Sequence, residues 1–157
     1  LTLSYDQSEV QSQLVQGLIR TWSQSDMIQI IGEGMPKQQL LENIAKGEFQ
    51  IARAGWCADY NEPSAFLSLF YSRSPDNKSG YSNDELDGLF EQSLKVILPA
   101  ERTALYGRIE KILQEENVVL PLYQSTVPVY LNPTLNGYDP ANPTEVIYSK
   151  DLFRKVR

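Results

Sequence analysis

Asp59 and Glu62 stand three positions apart in FQIARAGWCADYNEP, residues 49–63, where an apolar run breaks into polar and aromatic residues. A carboxylate just beyond a strand, beside Trp56 and Tyr60, would lie in a partly dry crevice and could hold an ammonium group. At ~4 Å and an effective dielectric of ~20 the gross attraction is about 4 kcal/mol, before desolvation is subtracted. The same Asp59 could instead cap a helix starting near Pro63, or accept a turn hydrogen bond. Two carboxylates can also share acid–base work, so a carboxylate-dependent hydrolase using Asp59 and Glu62 is a second reading. Glu62, however, directly precedes a helix-starting proline, where an acid favours the helix dipole.

The neighbours of this pair have their own chemistry. Arg53 alternates with Ile51 and Gly55 on one face of the apolar run, and a cation there needs a partner, from the protein or from a ligand's carboxylate. Trp56 at a strand end is placed to form a pocket wall. Gly55 lets another backbone come close. An extended ligand could then take main-chain hydrogen bonds from residues 55–57, as in strand addition. Cys57 is either a buried thiol or half of a disulfide with a partner elsewhere.

The composition narrows the chemistry further. The chain has 157 residues, 41% apolar and 22% charged, which suits one ordinary domain with a real core. Net charge is −6 and no Lys/Arg cluster marks a phosphate-binding face, so no nucleic-acid partner is expected. With no histidine and one cysteine, most zinc sites, the Ser-His-Asp triad and the Cys-His dyad are excluded. GEGMP at 32–36 lacks the Lys-Ser/Thr ending of a phosphate loop. No cofactor is expected. No apolar run approaches the ~20 residues of a membrane helix, so the chain is not expected to be membrane-embedded. The opening LTLSYD, without a leading Met, enters mid-strand and reads as a piece of something longer.

The elements that must position these residues follow from periodicity. LTLSY alternates as a strand. A helix follows, with Val10, Leu14, Leu18 and Trp22 at four-residue steps beside Val15 and Ile19; Ser8 or Asp6 could cap it. MIQIIGE reads as a second strand and MPKQQLLENIAKGE as a short helix stopped by Gly47. FQIARAGW is a third strand, apolar on both faces as a central parallel strand would be. EPSAFLSLFYS reads as helical and RSPDNKSGYSND as a surface loop. Two helices follow: one from NDELDGLFEQSLKVI, with Leu86, Leu89, Phe90, Leu94 and Ile97 on one side, and one begun by Pro99, with Leu105, Ile109, Ile112 and Leu113 inward. VVLPLYQSTVPVYLN supplies one or two late strands, interrupted by Pro121 and Pro128. Residues 132–157 form a turn-rich tail expected to pack on the same unit. The alternation argues a single α/β domain over 1–157 with a mainly parallel sheet flanked by helices. Ligands of open α/β sheets bind beyond the carboxyl ends of the strands, which is where residues 56–62 fall.

ARAGWCADYNEPSAFL resembles the C-terminal part of periplasmic oligopeptide-binding proteins, the solute-binding components of peptide ABC transporters (extracellular solute-binding protein family 5). The resemblance extends through YSNDELDGLFEQSL, LYGRIEKILQEENVVLPLY and GYDPANPTEVIYSKDLF. It implies one lobe of a larger class II, Venus-flytrap protein, in which two α/β lobes close over an extended peptide and the closed form docks on a membrane permease. It further implies that Asp59 anchors the peptide α-amino group, that Arg53 meets the carboxylate of short peptides, and that main-chain groups around Gly55–Cys57 pair with the peptide. It implies a periplasmic location and a disulfide from Cys57 to a cysteine absent from this sequence, binding rather than catalysis, and little side-chain selectivity. Family members often carry consecutive tyrosines after the proline of the late strand; here the run is PLYQS, with Gln124 and Ser125 in their place.

Overall fold

The structure, a computed structural model, describes residues 1–24, 27–126, 128–139 and 146–154. Strand β1 (Thr2–Asp6) lies at the centre of a three-stranded sheet. It pairs in parallel with β2 (Ile31–Met35), from Thr2↔Ile31 to Asp6↔Met35, and on its other side with β3 (Ile51–Ala52), at Leu3↔Ile51 and Ser4↔Ala52. Parallel strands cannot be joined by a hairpin, so a helix crosses over between consecutive strands: α1 (Glu9–Trp22) between β1 and β2, and α2 (Lys37–Lys46) between β2 and β3.

The two helices cover opposite faces. Leu3 is buried with Val15 and Ile30, flanked by Tyr5, Leu14, Ile19 and Trp22. On the other side Met35, Leu40 and Ile44 pack with Phe49 and Ala52. Leu3 and Ser4 point to opposite faces, yet each is only 2% exposed. That is the mark of a strand covered on both sides. A Cβ on Gly32 would come within 2.8 Å of Ile19, and one on Gly34 within 3.1 Å of the Tyr5 ring. Bare backbone there lets α1 and Tyr5 lie close against β2. Gly47, at φ 72°, closes α2 in the left-handed conformation.

Several expectations shift. β3 is an edge of the described sheet rather than a central strand, and its ladder covers two residues. The run 49–56 has only β1 to pair with, and after the bond from Arg53 N to Ser4 O (2.9 Å) it leaves the sheet. Along α1 the inward face centres on Val15, fully buried, whereas Val10 is 69% exposed.

A second core follows in the sequence. α3 (Ser64–Leu67) runs into a 3₁₀ turn and leads through a loop to α4 (Asp84–Ser93) and α5 (Pro99–Glu115). Leu67, Leu86, Leu89, Phe90, Leu105, Tyr106, Ile109 and Leu113 form one cluster. Asn83 caps α4 by accepting from Glu85 N and Leu86 N at 2.9 and 3.0 Å. α4 ends earlier than its apolar pattern predicts. Three-residue bonds from Lys95 N to Gln92 O and from Val96 N to Ser93 O tighten the chain, so Leu94 and Ile97 face solvent and Val96 packs inward. The polar loop is pinned from within: buried Asp87 accepts from the backbone and hydroxyl of Ser72. Asn77 donates to Tyr71 O and Tyr81 O.

The late strands predicted over 118–132 do not form among the described residues. Pro121 and Pro128 lack N–H donors, no described strand lies alongside, and Leu120, Leu122, Tyr123 and Tyr130 are exposed. A short antiparallel pair follows, β4 (Leu135–Asn136) with β5 (Phe153–Arg154). Residues 140–145 and 155–157 of the tail lie outside the described residues.

Ile109 is wholly buried, so Ile109→Ala should lower stability by about 2–5 kcal/mol in urea unfolding. Burial, reinforced by the hydrogen bond to Glu116, pushes the Tyr81 phenol up to about 12 from 10.0. The folded state therefore favours the neutral phenol. This contribution is complete below the unfolded value of 10.0 and is lost as pH rises towards 12. Unfolding midpoints measured below and above this window should fall less for Tyr81→Phe than for the native chain.

Candidate functional site

Parallel pairing points the carboxyl ends of β1, β2 and β3 to the same side of the sheet, and the residues singled out in the sequence follow β3. None of the described hydrogen bonds involves residues 54–59. They span a gap between the Arg53–Ser4 bond on the sheet and, beyond Asp59, the Tyr60 hydroxyl, which accepts from Ser64 Oγ at 3.2 Å, and the contacts of Glu62 on α5.

Asp59 is exposed, and among the described residues no donor or cation meets its carboxylate. The helix-capping alternative is not taken up: the N-cap position of α3 is Pro63, with no side-chain cap. Trp56 and Tyr60 flank Asp59 with 41% and 48% of their surfaces exposed. Cys57 is a free, exposed thiol, not a buried one. The backbone of 55–57 carries no described partner, so its donors and acceptors are open to an extended chain.

Arg53 finds no carboxylate among the described residues. Its Nη2 donates to the Tyr123 hydroxyl at 2.7 Å, with the guanidinium carbon 5.6 Å from the ring centroid. Its Nε is buried with no hydrogen-bond partner. A Cβ on Gly55 would lie 3.3 Å from Arg53 Nη1, so the bare glycine leaves room for the guanidinium.

Glu62 is engaged differently. Its Oε1 accepts from the Tyr106 hydroxyl at 3.0 Å and forms an ion pair with Arg102 Nε. Arg102 Nη1 also donates to Val96 O at 3.1 Å. The carboxylate expected to favour the helix dipole is thus bound sideways to α5 and is not a free acid–base partner for Asp59. No three His, Cys, Asp or Glu side chains cluster as a metal site among the described residues. The site is an open surface. A hollow of about 330 Å³ lies between α4 and α5, and none of residues 53–62 lines it.

Sequence reasoning missed three participants. Tyr123 reads as an ordinary aromatic because nothing local ties it to Arg53, 70 positions earlier. Arg102 and Tyr106 stand one turn apart on the stripe that carries Leu105 and Ile109, and that spacing is the signal that could have found them.

No family model matches the chain. A Haemophilus influenzae chain named only as a binding protein is 45% identical over 157 residues, all of this chain and 30% of that one. The periplasmic oligopeptide-binding protein OppA of Salmonella typhimurium is 31% identical over 96% of this chain and 28% of its own length. The solved structure of the Escherichia coli murein tripeptide-binding protein MppA superimposes with a TM-score of 0.84 at 31% identity, over 98% of this chain and 30% of that one. The chain is a homologue of periplasmic peptide-binding proteins such as OppA and MppA. It spans about 30% of the length of these relatives. Oligopeptide-binding homologues are substrate-binding proteins rather than enzymes. Together with the engagement of Glu62, this sets aside the hydrolase reading. No helix among the described residues is long and apolar enough to cross a membrane.

The state of Arg53 gives a stability test. A guanidinium held by a buried ion pair costs about 3–5 kcal/mol when removed. Arg53 has only a phenol on a half-exposed tyrosine and a buried, unpartnered Nε. Arg53→Met should therefore change the free energy of urea unfolding by less than about 1 kcal/mol.

Proposed function

We propose that this chain is one lobe of a two-lobed periplasmic binding protein that captures oligopeptides and delivers them to the membrane permease of an ABC transporter. Asp59 anchors the peptide α-amino group. Arg53 receives a carboxylate of short peptides, Trp56 walls the groove, and the backbone of Gly55–Cys57 pairs with the peptide main chain. The observation that carries this reading is the Asp59 carboxylate: exposed, at the carboxyl end of a parallel sheet, and unmatched by any described internal donor. A buried structural acid would be satisfied within the protein; this one is left for a cation from outside. The names of OppA and MppA, both peptide binders, support the same ligand class.

Recognition of chain ends and backbone accounts for broad specificity, because every peptide carries both. Asp59→Ala in the full-length protein should weaken binding of free-amine peptides by about 2 kcal/mol or more in calorimetry. N-acetylated peptides should lose little by comparison. Equal losses for the two would remove the anchor.

A further inference from the structure

We infer that Glu62, Arg102 and Tyr106 are positioning residues for the peptide-binding loop, holding Asp59 where an incoming ammonium meets it. The inference rests on the reading of Asp59 as the amine anchor and deepens it. Residues 54–59 have no described hydrogen bond of their own, so their path is set by what holds the two ends. At the near end, Arg53 N is fastened to Ser4 O in the sheet. At the far end Tyr60 Oη accepts from Ser64 Oγ at 3.2 Å within the turn, and three residues past Asp59 the Glu62 carboxylate ties that turn to α5 by taking Tyr106 Oη and Arg102 Nε together.

The far fastening is built to be stiff. α5 is the 17-residue helix of the second core, and Tyr106 is only 4% exposed. The Arg102 and Glu62 side chains are 28% and 33% exposed, sheltered enough to escape much of the screening of a surface pair. Arg102 is itself held at Val96 O, so it cannot swing away freely. The turn from Glu62 into α3 completes the fastening, with Glu62 N bonded to Tyr60 O and Ala65 N to Glu62 O. A charge anchor is effective only when its carboxylate is held in place before the ligand arrives, since ordering it on binding costs affinity. The loop supplies no internal order, and the α5 fastening supplies it instead.

A purely structural role would lower stability and weaken every ligand alike. A positioning role acts through Asp59 and is felt by ligands that use it. The experiment takes the full-length protein with Glu62→Gln, Arg102→Ala and the milder Tyr106→Phe, and measures binding of one peptide with a free amino terminus and its N-acetylated form, with thermal melts alongside. The expected result is about a tenfold loss for the free-amine peptide and little change for the acetylated one. Arg102→Lys should restore part of the loss. Combined with Asp59→Ala, none of the three should weaken the free-amine peptide further. Losses shared equally by both peptides, no loss in Tyr106→Phe and Glu62→Gln, or full additivity with Asp59→Ala would overturn the inference. The underlying reading is judged separately by Asp59→Ala alone. If that variant fails to discriminate the two peptides, the anchor and its positioning fall together; if it discriminates and the α5 variants do not, only the positioning falls.

Discussion

Parallel pairing about β1 is the constraint from which the rest follows. A strand hydrogen-bonded on both sides and covered on both faces must be flanked by crossover helices, and α1 and α2 meet that demand from opposite sides. It also fixes polarity: every strand ends on the same side, so whatever follows β3 is delivered to that end. Residues 53–62 need no special motif to reach the rim of the sheet. What they need is freedom from the ladder, and β3 ends after Ala52 to give it.

Much of this was legible in the residues. The period of α1 and α2, the stop at Gly47 and the start at Pro99 gave helices close to those observed. An apolar run turning polar puts the Asp59 loop beyond the third strand, as observed, although β3 ends at Ala52 on the sheet's edge and not at Trp56 in its centre. The departures have distinct causes. Apolar residues beyond a helix's true end, such as Leu94 and Ile97, continue the pattern on paper while local three-residue bonds turn the chain away. The run 118–132 has strand-like residues but no described strand to pair with, and propensity cannot supply one. At the site, Arg53 announced its need for a partner, but the partner proved to be a phenol far along the chain. Glu62 looked like a helix-dipole acid, and only the packing of α5 revealed its ion pair.

The described molecule has its apolar interior in separate portions. One is split over the two faces of the sheet; the other is built from α3, α4 and α5. The stretch 53–62 runs from the first to the second. A loop suspended between two cores takes its shape from both, and each core can be stable without dictating the loop's conformation alone.

The tyrosine over Arg53 has a consequence for biosynthesis. Closing a chain segment of 70 positions carries an entropic cost on the order of 4 kcal/mol from its length alone. The sheet and helices are joined by shorter separations, Ser4↔Ala52 being 48 positions apart, so the contact of Tyr123 with the guanidinium closes a longer loop than any pairing in the sheet. A nascent or truncated polypeptide lacking Tyr123 would already display the acidic loop, while its arginine stayed uncovered.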